Sequence, residues 1–185
     1  TKIKGIKKTK KIKKSKVFYK NLFLPNSKLN FAKNLLSKNN NEKALTFISE
    51  NGYREVRSWS KLNKNTSNLA QFLKNIKIKQ KDRIAAYMPN TIETVEAFIA
   101  TTSIGAIWSS CSPDFGARGV IERFSQINPK VLFITDQYFY SGKKINVLKR
   151  LSEILKKIPS IKSVIIVNYP GENYLKNKKL SKIKI

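Results

Sequence analysis

The chain has 185 residues, of which 41% are hydrophobic, so it is long enough to bury the core of one domain. It contains one cysteine, Cys111, and no histidine, which excludes an internal disulfide, argues against His-dependent triads and zinc sites, and predicts a reducing, cytoplasmic compartment. Its formal net charge of +27 makes anionic partners a class to consider.

The basic residues are concentrated at the two ends of the chain. Residues 1–41 contain 13 Lys and no Asp or Glu, whereas residues 42–140 contain 13 basic and 9 acidic residues. Lys-rich blocks bind phosphates without reading sequence, so one interpretation is an arm for non-specific anionic polymers or lipid. The other is compositional, because Lys, Asn and Ile are abundant throughout, as in the product of an AT-rich gene. We predict a disordered basic arm over residues 1–20 and a basic tail over residues 171–185.

A hairpin and a helix are the first predicted elements. The runs "ALTFIS" (44–49) and "YREVRSW" (53–59) flank Asn51 and Gly52, a pair that favours the positive φ angles of a tight turn. Ser60 is placed to cap a helix that follows. Its apolar residues recur at helical spacing: Leu62, Leu69, Leu73 and Ile76.

Strands and helices alternate over the rest of the chain. Apolar runs predict four buried strands, at residues 83–88, 106–110, 130–135 and 163–168. Helices are predicted at residues 89–105, at 116–127, and from Ile145 to Ile158. Asn90 and Glu93 have the spacing of a capping box, and Gly105 is typical of a helix stop. This alternation predicts an α/β fold, a parallel sheet flanked by helices, with a small antiparallel hairpin near the N-terminus.

One segment, "SIGAIWSSCSPDFGARGV", has few charges and many small residues. Trp108, Ser109 and Ser110 end a predicted strand, and "CSPDFG" (111–116) forms the loop after it. Ligands gather at the carboxyl ends of the strands in open parallel sheets, so the loop is interpreted as the wall of a binding site. A capped turn without a ligand is the alternative, because Ser, Pro, Asp and Gly are also the commonest turn residues.

The sequence contains neither of the common glycine-rich phosphate-binding motifs and no sign of a reactive cysteine. Gly142 and Lys143 form the only Gly-Lys pair, but the glycine and the Ser or Thr of a P-loop are missing around them, and there is no Gly-x-Gly-x-x-Gly. Cys111 has neither His nor a second Cys beside it and is predicted to be a buried structural thiol.

Glu93 and Glu96 are interpreted as favourable charges in the first turn of a helix. We predict no catalytic residue and no metal ligand, and no apolar run is long enough for a transmembrane helix.

The sequence resembles a known family at this point. The segments "LPNSKLNFAKNLL", "SIGAIWSSCSPDFG" and "RFSQINPK" resemble the N-terminal part of the acetoacetyl-CoA synthetase family, the acetoacetate–CoA ligases of the adenylate-forming superfamily. The resemblance runs from about Phe23 to Val167. It implies that residues 21–170 are part of the large N-terminal domain of such enzymes.

The resemblance also implies a reaction and its cofactors. These ligases use ATP and Mg²⁺ to convert acetoacetate to an acyl-adenylate, from which the thiol of CoA displaces AMP. The family's phosphate loop, its ribose-binding acidic residue and its C-terminal lysine have no counterpart in this sequence. We therefore expect a fragment, one part of a split enzyme, or a decayed copy. Such a chain is expected to be inactive alone, to bind none of these cofactors tightly, and to require a missing C-terminal portion as partner.

Four positions carry over as cofactor-binding candidates. Trp108, Ser109 and Ser110 resemble the Phe-Gly-Gly wall beside the CoA thiol arm in the acetyl-CoA synthetase branch, with both glycines replaced by serine. Lys143 lies where that branch has an arginine on the CoA phosphate, and Tyr140 replaces a second one. Two interpretations from other classes stay open: a basic accessory or nucleic-acid-binding domain that kept the ligase framework, and a non-functional truncated product.

Overall fold

The computed structural model describes residues 4–6, 13–23, 25 and 27–171 of the chain. The predicted tail lies outside the described residues from position 172 onward, as do residues 1–3 and 7–12 of the predicted arm, so these domain boundaries stay a prediction. The first elements are β1 (Gly5–Ile6), β2 (Lys28–Leu29), α1 (Phe31–Leu35), β3 (Lys43–Ile48), β4 (Arg54–Ser58), α2 (Trp59–Asn75) and β5 (Arg83–Tyr87). The others are α3 (Ile92–Ser103), β6 (Ile107–Cys111), α4 (Ala117–Ile127), β7 (Val131–Thr135), β8 (Gln137–Tyr140), β9 (Lys143–Asn146), α5 (Leu151–Lys157) and β10 (Ser163–Val167).

Four parallel strands form the main sheet, in the order β10-β7-β5-β6. Parallel neighbours must be joined by crossovers, and α3 and α4 supply them from β5 to β6 and from β6 to β7. The connection from β7 to β10 contains β8, β9 and α5. The predicted α/β fold with a parallel sheet flanked by helices is confirmed, and so is the antiparallel hairpin, β3–β4.

The sheet is buried on both faces, and this explains its apolar strands. Ala85 and Tyr87 of β5 join a core cluster with residues of α4 and α5, whereas Ile84 and Ala86 join a second cluster with residues of α2 and α3. Because side chains alternate between the faces of a strand, a strand covered on both sides must be apolar at every position.

The turn of the β3–β4 hairpin differs from the prediction in one detail. The amide of Gly52 donates to the carbonyl of Ser49 at 3.0 Å, and the amide of Ser49 donates to the carbonyl of Tyr53 at 2.9 Å. Gly52 has a φ of +79°, but Asn51 has no positive φ. The connection is longer than a two-residue turn, so one left-handed residue closes it where two were predicted.

Two predicted helix caps are also wrong. Helix α2 begins two residues earlier than expected, because its N-cap is Ser58 and not Ser60: the hydroxyl of Ser58 accepts the backbone amide of Lys61. Helix α3 has Thr91 at its N-cap, so Asn90 and Glu93 do not form a capping box. The carboxylate of Glu93 instead contacts an arginine of β4.

The segment after β7 was predicted as helix from Ile145, and this is wrong. Ile145 lies in β9, which pairs antiparallel with β8, and α5 begins only at Leu151. Ser141 and Gly142 connect the two strands with φ angles of +50° and +70°, as a type I′ turn requires. The dipeptide Ser-Gly between "QYFY" and "KKIN" was the signal for this hairpin.

Asp136 turns the chain from β7 into β8. One carboxylate oxygen accepts the backbone amides of Gln137 at 2.7 Å and Tyr169 at 2.8 Å. The side chain is fully buried, and this burial raises its pKa although the two amides act in the opposite direction. Asp136 therefore ties the strand that leaves the sheet to the segment that follows β10.

The two-sided burial of the sheet predicts a clear difference between two phenylalanines. Phe133 of β7 is 1% exposed, whereas Phe72 of α2 is 45% exposed. Phe133→Ala should lower the free energy of unfolding by about 3–5 kcal/mol, because it removes a core ring and leaves a cavity. Phe72→Ala, as the control, should change it by less than ~1 kcal/mol. Urea denaturation followed by circular dichroism measures both, and equal losses would contradict the described core.

Candidate functional site

A cleft of about 210 Å³ opens at the carboxyl ends of β5 and β6. Three groups of residues line it: those that follow β5, those at the end of β6 with the loop after it, and those of β8. Its lining residues are Met88, Pro89, Asn90, Thr94, Ser110, Cys111, Ser112, Asp114, Tyr138, Phe139 and Tyr140. Most of its polar groups are neutral hydroxyls and amides, so the cleft suits a ligand that is held by hydrogen bonds.

The side chains of Tyr87 and Arg150 hold the loop after β6 in place. Tyr87, the last residue of β5, donates its hydroxyl hydrogen to the carbonyl of Phe115 and accepts a hydrogen bond from the guanidinium of Arg150. The same guanidinium nitrogen donates to the carbonyl of Pro113 at 2.8 Å. Burial raises the pKa of Tyr87, which keeps its hydroxyl a donor. The loop is therefore fixed to the central strand by hydrogen bonds, as a rigid site wall requires.

Burial keeps two titratable side chains of the cleft, Tyr138 and Cys111, neutral. Burial raises the pKa of Tyr138 to about 12, and the nearby carboxylate of Asp114 adds to the effect through a hydrogen bond. Burial also raises the pKa of the Cys111 thiol. Cys111 is free and buried, as predicted for a structural thiol. Neither group is therefore poised as a nucleophile or general base near neutral pH.

The side chains of the three candidate residues of β6 lie in different environments. Ser110 is exposed and lines the cleft. Trp108 packs instead between Phe98 of α3 and Phe133 of β7, with ring centroids 6.1 Å and 6.0 Å away. Ser109 is half-buried between them and is not among the lining residues. Of the three side chains, only that of Ser110 lines the cleft.

Lys143 lies beside the cleft in the β8–β9 hairpin. It is exposed and pairs across the hairpin with Tyr140, which lines the cleft. The carboxylate of Glu50, from the turn of the β3–β4 hairpin, accepts the amides of Ser141 at 3.3 Å and Gly142 at 3.2 Å. The turn next to Lys143 is therefore attached to the other hairpin, and Lys143 itself neighbours the cleft through its partner Tyr140.

A cluster of charges that the sequence did not reveal joins the β3–β4 hairpin to α3. The guanidinium of Arg57 lies 3.0 Å from a carboxylate oxygen of Glu55, 3.3 Å from one of Glu93 and 3.0 Å from one of Glu96. Asn65 of α2 also donates to Glu96, at 2.8 Å. The sequence interpretation of Glu93 and Glu96 as charges in the first turn of a helix did not include these contacts, because the carboxylates and Arg57 are close only in the folded chain. Burial raises the pKa of Glu96, opposed by Asn65 and Arg57.

Within residues 4–6, 13–23, 25 and 27–171, no group of three or more His, Cys, Asp or Glu side chains is placed to hold a metal ion. No helix among the same residues combines the length and the apolar character that are needed to cross a bilayer.

A parallel α/β sheet with a cleft at the carboxyl ends of its strands defines a class of proteins that bind nucleotides and coenzymes. A family model described as "AMP-binding enzyme" matches residues 33–184. The chain therefore belongs to the AMP-binding enzyme family.

Within this family the chain is similar to acetoacetyl-CoA synthetases, which confirms the resemblance seen in the sequence. It is 42% identical to the protein of Rhizobium meliloti (strain 1021) over 151 residues, which are 82% of this chain and 23% of the relative. It is 40% identical to that of Gallus gallus over 145 residues, 77% of this chain and 22% of the relative. The solved structure of the Streptomyces lividans enzyme superposes with a TM-score of 0.78 at 33% identity, covering 83% of this chain and 24% of that one. The chain thus spans less than a quarter of these proteins.

The hydrogen bonds of Arg150 predict a local effect of its removal. Arg150→Gln should lower the protection of the backbone amides in residues 112–116 against hydrogen exchange. The reason is that the carbonyls of Pro113 and Phe115 lose their charged donor. The matched control is Arg118→Gln, since this side chain is 92% exposed and contacts only Glu122. Hydrogen exchange measured by mass spectrometry reports both. An unchanged loop in the Arg150 variant would show that the loop does not depend on this contact.

The burial of Glu96 predicts a pH dependence of stability. Because its pKa is raised in the folded state, the folded chain binds this proton more tightly than the unfolded chain does, and that stabilisation is lost as the pH rises from about 4 toward the folded pKa. Glu96→Gln keeps an oxygen for Asn65 and removes this dependence. The variant should therefore gain stability relative to the parent between pH ~4 and ~7.

Glu122→Gln is the control for this measurement, since Glu122 is exposed and pairs only with Arg118. Urea denaturation at the two pH values compares the three proteins. A difference between parent and Glu96 variant that stays constant with pH would contradict the raised pKa.

Proposed function

We propose that this chain forms the N-terminal part of an acetoacetate–CoA ligase. The observation that carries the proposal is its identity of 40% and 42% to acetoacetyl-CoA synthetases over a region that includes the whole cleft. Such a ligase activates acetoacetate with ATP, releasing pyrophosphate, and then passes the acyl group from AMP to the thiol of CoA. Catalysis of this kind depends mainly on positioning and on neutralising phosphate charge, so it does not require histidine.

On the CoA side we propose different roles for the four candidates. The hydroxyl of Ser110 and the neutral groups around it suit the amide-bearing arm of CoA, which is uncharged. Lys143, the strand partner of the lining residue Tyr140, suits a CoA phosphate. Trp108 acts through its packing on Phe98 and Phe133, which sets the position of β6, and Ser109 continues the strand between the two.

We propose that ATP and Mg²⁺ bind mainly to parts of the ligase that this chain does not span. The chain alone is then inactive and requires those parts as a partner. A cytoplasmic location, where the free Cys111 stays reduced, belongs to the same proposal.

A chimaera tests the proposed function. Residues 33–171 would replace the aligned segment of the Streptomyces lividans acetoacetyl-CoA synthetase. We expect the chimaera to release pyrophosphate and form acetoacetyl-CoA when acetoacetate, ATP and CoA are all present, whereas the 185-residue chain alone forms none. A chimaera with the parent's circular dichroism spectrum and melting behaviour but without thioester formation would overturn the proposal.

The same chimaera tests Lys143. Lys143→Ala should raise the KM for CoA about tenfold, the equivalent of ~1.4 kcal/mol, because one charge-assisted contact to phosphate is lost. The kcat and the KM for acetoacetate should stay unchanged. The control is Lys156→Ala, an exposed lysine in the last turn of α5. Equal KM values for CoA in the parent and the Lys143 variant would remove Lys143 from the site.

A further inference from the structure

Residues 13–22 form a closed loop near the N-terminus, which we call the aromatic loop. Lys13 and Leu22 close it with two backbone hydrogen bonds, of 2.9 Å and 3.0 Å. Inside it, the side chain of Asn21 accepts the amide of Ser15 at 2.7 Å, and Phe18–Lys20 form a single 3₁₀ turn. These hydrogen bonds define the shape of the loop.

The tip of the aromatic loop presents large apolar side chains to the surroundings. Phe18 is 86% exposed and Tyr19 is 82% exposed, and Val17 and Leu22 are exposed beside them. Phe23, directly after the loop, is exposed as well. Contiguous exposed apolar groups of this kind mark interaction sites in soluble domains.

The charged residues of the aromatic loop are all basic. Four exposed lysines belong to the loop: Lys13, Lys14, Lys16 and Lys20. There is no Asp or Glu in residues 1–41 to neutralise them. A partner of this loop must therefore be anionic and must also accept apolar side chains.

We propose that the aromatic loop binds the surface of an anionic phospholipid bilayer. Phe18 and Tyr19 would enter the boundary between head groups and acyl chains, while the lysines contact the anionic head groups. Two features favour lipid over single-stranded nucleic acid. Val17 and Leu22 offer nothing for bases to stack on, and the sequence contains no arginine before Arg54 to form forked contacts with phosphate.

This surface is independent of the proposed ligase function. The aromatic loop precedes residues 33–184, which the family model matches, and none of its residues lines the cleft. Binding to a bilayer would place the chain at a membrane surface without changing its site.

Cosedimentation of the whole 185-residue chain with vesicles tests the proposal. The chain should bind vesicles of phosphatidylcholine mixed with phosphatidylserine and should not bind vesicles of phosphatidylcholine alone. The double variant Phe18→Ser, Tyr19→Ser should bind the mixed vesicles at least about tenfold more weakly, because it loses both apolar contacts. Lys14→Gln with Lys16→Gln should weaken binding about thirtyfold, through lost attraction to the head groups.

Two matched controls separate the loop from the general positive charge. Lys156→Gln with Lys157→Gln removes the same charge from α5, and Phe72→Ser removes an exposed ring from α2. Both should bind as the parent does, and all variants should keep the parent's melting temperature. Equal weakening by the two lysine pairs, or unchanged binding of the Phe18 and Tyr19 variant, would overturn the proposal. Tighter binding to a single-stranded oligonucleotide than to the mixed vesicles would overturn it as well.

Discussion

The burial of β5 on both faces is the constraint on which the described structure depends. This strand lies between β6 and β7, and its residues from Ile84 to Tyr87 contact helices on one side or the other. A parallel strand in that position needs crossover helices on both faces of the sheet, and α3 and α4 take those places. The order of the chain, the apolar strands and the two core clusters are consequences of this one requirement.

The candidate site is a direct extension of that core. Tyr87 has its ring inside the core and its hydroxyl on the loop after β6, so the strand that organises the sheet also positions the wall of the cleft. Arg150, which lies 63 residues after Tyr87 in the sequence, completes the attachment by donating to the same hydroxyl. A loop fixed in this way forms a rigid wall beside Ser110, so little conformational freedom would be lost when a ligand binds, which favours affinity.

Much of the site could not be predicted because it depends on contacts between distant residues. Arg57 meets Glu93 and Glu96 only when the hairpin packs on α3, and no spacing in the sequence indicates that meeting. The sequence does not show whether the indole of Trp108 faces the cleft or the core. Its packing on Phe98 and Phe133 of neighbouring elements places it in the core. The β8–β9 hairpin is a different case, since the dipeptide Ser141-Gly142 is a local turn signal that lies in the sequence itself.

The sequence by itself determined the fold class, the order of its main strands and helices, and the family. Alternation of apolar strands with amphipathic helices is a local pattern, and a parallel sheet covered on both faces is the arrangement that buries all of it. The short motifs around Ser110 were sufficient to indicate acetoacetyl-CoA synthetases, because family motifs are also local. Only the tertiary structure decided which side chains reach the cleft, where Arg57 finds its carboxylates, and how Glu50 holds the turn beside Lys143. Those outcomes depend on distances across the fold, and such distances exist only once the sheet has formed and its crossovers have packed.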